Sequence, residues 1–293
     1  MIGKCEDIEI VKQYKDERIK VIVHKKNMGL PYSLNEGIRK STGEYIARMD
    51  SDDISLKNRL KVQAEFLDKH KDIDICAMFA KMIGDDNALM VHPFIKNELI
   101  HEHLMFRNCL IHPLIMFRKE FIERHNLYYN EEFVCAQDFE LWNRCKKYGK
   151  IEIIPKIGLF YRVHNSQIST QKKERQLELA KEILVNNLKE INLISINEIN
   201  NVLLLFSLEN NTKENIIRLS NFVEEILLNS KKNNTNNLRK VLCYMLFNRF
   251  IRMKNVNKIK LINQNKILEK QIIYYSNIKL LIKKQIYKIK RVK

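Results

Sequence analysis

Three carboxylates fall within four positions of the stretch ARMDSDDIS (47–55): Asp50, Asp52 and Asp53. Acids this close repel one another unless a cation sits among them. Asp50 and Asp52 are two positions apart, so on an extended segment their side chains leave by the same face and can meet one ion. Hard oxygen donors of this kind suit Mg²⁺ or Mn²⁺, which commonly take one or two carboxylates and fill the remaining positions with phosphate oxygens. A second reading uses no metal: Asp52 or Asp53 caps the next helix. Further along, Arg162 and His164 come after a strand-like run; arginine suits forked phosphate contacts and histidine can meet phosphate or metal. His112 precedes a proline and is held extended. His101-Glu102-His103 resembles a ligand run, but residues two apart diverge on a helix, so it reads as surface.

The elements that must position these residues alternate between β-branched runs and amphipathic stretches. RIKVIVHKK (18–26) reads as a strand ending at the turn-prone NMGLP. SLNEGIRKS (33–41) reads as a helix capped by Ser33, with Gly43 as its stop signal. EYIARM (44–49) is the next strand, and the acids sit at its C-terminal end, where ligands gather in open α/β sheets. Leu56, Leu60, Ala64 and Leu67 recur at helical spacing. IDICAMFAKMI (73–83) is apolar enough for a buried strand; RKEFIERHN (118–126) and AQDFELWNRCKKYG (136–149) read as helices, and IEIIPKIGLFYRVH (151–164) as a strand pair or a bent strand. Strands alternating with helices predict an α/β layer with a mostly parallel sheet flanked by helices.

Four stretches resemble glycosyltransferase family 2, which has the GT-A fold. NMGLPYSLNEGIRKSTGEYIARMDSDDIS is similar to the family's N-G-L, N-x-G and D-x-D-D core. IHPLIMFRKEF (111–121), AQDFELW (136–142) and FYRVHNSQIS (160–169) come next, in the family's order. The resemblance implies a GT-A-like, Rossmann-like fold and inverting transfer of a sugar from a nucleotide-sugar, UDP-linked by expectation, to a hydroxyl of a glycan or lipid-linked acceptor. By the same likeness, Asp52 with Asp50 would hold Mn²⁺ or Mg²⁺, and Asp138 would take the acceptor's proton. Asn27, Gly29, Asn35, Arg48, Asp50, Arg162 and His164 would contact the donor. Gln137 stands where most relatives carry glutamate, which removes a charge beside Asp138. Without the likeness, Asp138 reads equally as a helix cap, and Phe139, Leu141 and Trp142 as either an acceptor shelf or core. The family's first β-α-β unit, which embraces the base, has no counterpart before about residue 8, so truncation is expected. A catalytically inactive remnant or partner subunit is the alternative.

Beyond residue 170 the pattern turns helical, with Leu177, Ala180, Leu184, Leu188 and Ile191 on one face. The net charge of +17 sits in residues 231–293, which carry 18 Lys and Arg against the single acid Glu269. The expected division is a glycosyltransferase domain over 1–170, a helical extension over 171–230 and a basic helical tail over 231–293, with KKNNTNN (231–237) as linker. Basic residues mixed with Ile, Leu, Tyr and Phe suit an anionic membrane surface; nucleic acid is disfavoured because no reading motif is present. An AT-rich coding bias would give the same composition on an ordinary solvated tail. No apolar run is long enough to span a bilayer, the first residues lack a signal core, and six dispersed cysteines without a C-x-x-C pair read as reduced thiols. These features point to a cytoplasmic protein, peripheral at the inner face of the membrane.

Overall fold

The computed structural model describes residues 5–84, 88–164, 172–190, 200–201, 212–229, 235–253 and 258–273. Four sequence expectations fall wholly or partly outside them: the end of FYRVHNSQIS, Ile191 of the helical face, the start of the 231–237 linker and the basic stretch 278–293. The chain forms two compact units, Met1–Val91 with Leu110–Leu179, and His92–Cys109 with Ala180–Lys293.

In the first unit, α1 (Cys5–Lys12) precedes α2 (Leu30–Lys40), β1 (Tyr45–Ala47), β2 (Ile54–Ser55), α3 (Arg59–Lys69), β3 (Ile75–Ile83) and β4 (Leu89–Met90). β5 (Met116–Arg118), α5 (Lys119–Arg124), α6 (Gln137–Cys145) and β6 (Ile151–Arg162) complete it. The sheet order is β1-β5-β3-β6-β2, with β4 on the far part of β3. β3 is buried along its first six positions, as its unbroken apolar sequence requires. With Leu67, Leu114, Met116 and Leu159 it forms the core of the sheet.

The sheet is mixed, which corrects the expectation of a mostly parallel one. Among the described residues, only β3 and β6 run parallel; the other four pairings are antiparallel. A parallel pair needs a long crossover, and the chain between β3 and β6 supplies it, carrying α5 and α6. Where β6 passes β3 the register slips, from Met78 opposite Ile154 to Phe79 opposite Ile157. Pro155 lies in that slip, and a proline cannot donate to a ladder. At Gly158, a Cβ would come within 2.6 Å of Leu114 Cδ2 and 2.9 Å of Met78 Sδ, so a larger residue would force those core side chains to shift. A bulge bends its strand and re-aims the side chains beyond it, which bears on where Arg162 and His164 point.

Two local expectations are also corrected. α2 starts at Leu30, not Ser33: Gly29 is the N-cap, and Pro31 presets the first turn. Segment 18–26 forms no strand, and Ile19, Val21 and Val23 are 41%, 44% and 64% exposed. Alternation makes a strand only when a ladder partner takes its hydrogen bonds, and 18–26 has none among the described residues.

The second unit is helical: α4 (Asn97–Leu104), the later part of α7 (Lys173–Glu190), α8 (Lys213–Asn229), α9 (Thr235–Ile251) and α10 (Lys258–Asn263). Its core gathers Phe94, Leu188, Val223, Leu242, Leu246 and Leu268. Asn187 Nδ2 donates to the carbonyls of Leu104 and Met105 at 3.3 and 2.9 Å, satisfying groups that a helix end leaves open. His103 and Glu102 are buried here, which corrects the surface reading of 101–103. The apolar residues of α9 are core too: Leu238, Val241, Leu242, Cys243, Leu246 and Phe250 are each at most 5% exposed. The apolar side chains of 235–251 are thus taken up by the core of this unit and do not form an apolar face open to a membrane. Among the described residues, no helix is long and apolar enough to cross one.

Candidate active site

β1 ends at Ala47, and the acid loop runs from there to β2. Its start is tied by the Arg48 N–H, which donates to the Ile115 carbonyl at 3.0 Å. Its end is tied by β2, where Ile54 and Ser55 pair with Phe160 and Leu159 of β6. Carboxylate oxygens of Asp50, Asp52 and Asp53 lie within 4.8 Å of one another. None of them caps α3, whose N-cap is Asn58 with no side-chain bond.

Arginine and histidine side chains and a main-chain N–H surround the cluster. The Arg48 guanidinium forks onto both oxygens of Asp50, with its own side chain only 9% exposed. From the end of β6, His164 Nε2 lies 2.8 Å from Asp52 Oδ2. The Arg162 main-chain N–H donates to Asp53 Oδ1 at 2.9 Å, and its Nε donates to the Asp52 carbonyl at 2.8 Å. Asp53 is buried, and desolvation pushes its pKa up to about 6; the Arg162 amide opposes this, while the charges of Asp50 and Asp52 add to it. Asp53 Oδ2 is buried with no hydrogen-bond partner.

Beneath the loop lies a polar layer that the sequence pattern did not reveal. α3 buries Arg59, Gln63 and Leu67, while Leu60 is 56% exposed. Arg59 donates to the Arg48 carbonyl at 2.6 Å and to Gln63 Oε1 at 3.0 Å; Gln63 Nε2 donates to the Leu114 carbonyl at 2.8 Å. Burial pulls the Arg59 pKa down to about 10. The spacing of 59, 63 and 67 on one helical face was the available signal, hidden because two of the three are polar.

A second bracket holds Tyr129. The side chain of Asn35, only 2% exposed, accepts from the Tyr129 N–H at 2.8 Å and donates to the Tyr129 carbonyl at 2.9 Å. The Asn35 amide thus positions Tyr129, and its Nδ2 also donates to Glu131 Oε1 at 3.2 Å. The Tyr129 hydroxyl is hydrogen-bonded to buried His112 Nε2 at 2.8 Å. Burial raises the Tyr129 pKa, and the charges of Asp50 and Asp138 both reach this phenol. Asp138 sits in the first turn of α6, with Oδ1 accepting from the Phe139 N–H at 2.9 Å. The N-cap is Ala136, in a left-handed conformation, so Asp138 is not the cap. Phe139, Leu141 and Trp142 are core, not a shelf. Asn27 Oδ1 accepts from the Gly29 N–H at 2.9 Å, and the φ of 84° at Gly29 turns the chain into α2. A cleft of about 490 Å³ opens between α2 and β1, lined by Gly37, Ile46, Arg48, Met49 and Tyr129 among others.

Residues 6–139 match the model of glycosyl transferase family 2. Over that stretch the chain is similar to family 2 glycosyltransferases. It is 32% identical over 181 residues to an uncharacterized glycosyltransferase, MJ1057, of Methanocaldococcus jannaschii, covering 57% of this chain and 60% of the relative. It is 27% identical over 183 residues to one from Haemophilus influenzae, covering 59% and 57%. The chain thus spans well under two thirds of both relatives. In fold it resembles S. aureus TarS 1–349 solved in complex with UDP-GlcNAc, at a TM-score of 0.52 and 17% identity, covering 90% of this chain and 78% of that one.

The acid loop fits a hard divalent ion. Its donors are all carboxylate oxygens, they lie close enough for one ion, and the orphaned Asp53 Oδ2 is a buried oxygen in need of a partner. Asp53 was not singled out in the sequence as a ligand. It differs from its neighbours in being buried, which sequence alone does not disclose.

Proposed function

We propose that the family 2 domain transfers a sugar with inversion from a nucleotide-sugar, UDP-linked, to a hydroxyl of a glycan or lipid-linked acceptor in cell-surface polysaccharide assembly. The observation that carries this reading is the meeting of Arg162 and His164 with the acid loop: carboxylates and cations from distant segments share one site. Such a site can hold a divalent ion and a diphosphate together, which neither charge alone could do. Asp52, with Asp50, would hold Mn²⁺ or Mg²⁺, which supplies Lewis-acid stabilisation to a departing diphosphate. Arg162 and His164 orient the phosphates, while Asn27, Gly29 and Arg48 border the donor side.

Asp138 is the base. The acceptor oxygen attacks the anomeric carbon, its proton passes to the Asp138 carboxylate, and the bond to the diphosphate oxygen breaks with its electron pair leaving on the nucleotide. The charges of Asp50 and Asp138 both act on Tyr129, which His112 and Asn35 hold in place. The test separates binding from chemistry. Asp138→Asn is expected to bind UDP-GlcNAc with Mn²⁺ by calorimetry yet transfer nothing, whereas Asp52→Ala loses the Mn²⁺-dependent heat. Wild-type transfer by either variant overturns the assignment. The exposure of Ile19, Val21 and Val23 favours a second reading, a partner subunit completed by another chain. That reading predicts no donor heat from this chain alone with any UDP-sugar.

A further inference from the structure

Among the described residues, one other group of metal-ligating side chains lies outside the acid loop, wholly within the second unit. It comprises His92, His103 and Cys109, whose ligand atoms fall within 4.8 Å of one another. The three bracket α4: His92 stands ahead of it, His103 lies in its last turn, and Cys109 comes after its end.

The hydrogen bonds decide which nitrogens are available. His92 Nδ1 lies 2.9 Å from the Phe94 carbonyl; the tautomer protonated at Nδ1 donates to that carbonyl and leaves Nε2 its lone pair. The Phe94 N–H also approaches Nδ1, at 3.2 Å, and competes with that arrangement. With either tautomer, His92 Nε2 is shut away from solvent with no hydrogen-bond partner. His103 repeats the pattern, its Nδ1 lying 3.1 Å from the Arg107 carbonyl, so its Nε2 also keeps a lone pair. Metal-bound histidines characteristically give their second N–H to a carbonyl or carboxylate, which fixes the ring and its tautomer. The two rings cross edge to face with centroids 4.7 Å apart, and Tyr244 closes the side at 6.1 Å from the His92 ring. Burial holds both imidazoles far below their ordinary pKa, and hence neutral, the form that ligates. An unpartnered buried nitrogen carries a free-energy cost, and a metal ion at this position removes it.

We infer that His92 Nε2, His103 Nε2 and Cys109 Sγ form a second metal site, for zinc. Two imidazoles and a thiolate are a borderline-to-soft donor set that zinc accepts and Mg²⁺ does not. A water or an added ligand fills the fourth tetrahedral position. The ion clasps the segments before and after α4 to the helix itself. The spacing resembles no zinc-knuckle pattern, because α4 and not a tight turn brings the ligands together.

The test uses the full chain with Asp50→Asn and Asp52→Asn, so that the acid loop does not compete. Zinc titration by calorimetry is expected to show a tight site, and Co²⁺ in its place a thiolate-to-metal charge-transfer band. Adding His92→Gln is expected to weaken zinc by more than about 100-fold, beyond the roughly 10- to 100-fold that losing an outer-shell partner costs. Cys109→Ser, a small change at a partly exposed position, is expected to abolish the band while far-UV circular dichroism stays unchanged. A folded parent without the band, or zinc affinity equal in parent and both variants, overturns the site.

Discussion

The acid loop of the first unit and the His-Cys group of the second solve opposite electrostatic problems. The loop gathers three carboxylates, and the chain itself supplies the charges of Arg48 and Arg162 and a contact from His164 to offset them. Its charges are thus offset by groups of the chain itself, and Asp50 and Asp52 are only part-buried, which suits the exchangeable ion proposed above. The His-Cys group carries neutral rings, needs no counter-charge, and leaves a buried nitrogen without a partner. Such a site gains from an ion that stays. Donor type and burial together separate an exchangeable hard-metal site from a retained soft-metal one.

The sharpest test of that contrast is metal selectivity. Asp52→Ala is expected to remove Mn²⁺ binding and leave zinc binding intact, and His92→Gln to do the reverse, each by orders of magnitude in affinity measured by calorimetry. If both variants weakened both ions equally, the two sites would not be distinct.

The next largest effects fall on the buried polar layers of the first unit. Arg59→Ala leaves the Arg48 carbonyl and Gln63 without their donor and opens a cavity, so a loss of about 2–4 kcal/mol in urea unfolding is expected. Asn35→Ala strips both main-chain partners from Tyr129 and is expected to cost about 2–3 kcal/mol. Transfer should fall in both variants, because each supports a wall of the site and not the chemistry. A variant that lost stability but kept full transfer would detach that layer from the site.

Asp53 gives a pH test of the loop's charge balance. Its folded pKa of about 6 lies above the ordinary 3.8, so the folded state prefers the protonated carboxyl. Below about 4 the shift has no effect on stability; as pH rises to about 6 the group ionises more readily unfolded, and the folded state loses ground. In chelator, the stability difference between Asp53→Asn and wild type should therefore grow in favour of the variant across that window. A flat difference from pH 4 to 7 would remove Asp53 from the charge balance.

Local order in the chain was legible from sequence where one segment decides the outcome. The run 73–83 is continuous and apolar, and it became the central strand β3. The order of apolar run, acids and helix placed the acid loop correctly at a strand end. What was not legible depends on distant partners. The sequence 18–26 alternates as a strand should, yet strand formation needs a ladder that its own residues cannot provide. Strand direction depended on how far apart in the chain the neighbours lie, so the parallel expectation failed for every pair but β3 and β6. Residues 92–109 joined the second unit through packing that no local signal marks. α9 read as a basic membrane helix because its arginines and lysines are conspicuous, while its burial is set by the helices around it.

The smallest expected effect tests which face of α3 is the inner one. Leu56, Leu60, Ala64 and Leu67 suggested an apolar stripe through Leu60, but the buried face runs through Arg59, Gln63 and Leu67. Leu60→Lys should then change stability by no more than about 0.5 kcal/mol, since an exposed helical position tolerates lysine. Gln63→Leu, nominally the more hydrophobic choice, should cost more, because it strands the Leu114 carbonyl and Arg59 Nε inside the protein. Unfolding of the two variants side by side decides the matter. If lysine at 60 were the costlier change, α3 would be turned about its axis and the polar layer beneath the acid loop would not exist.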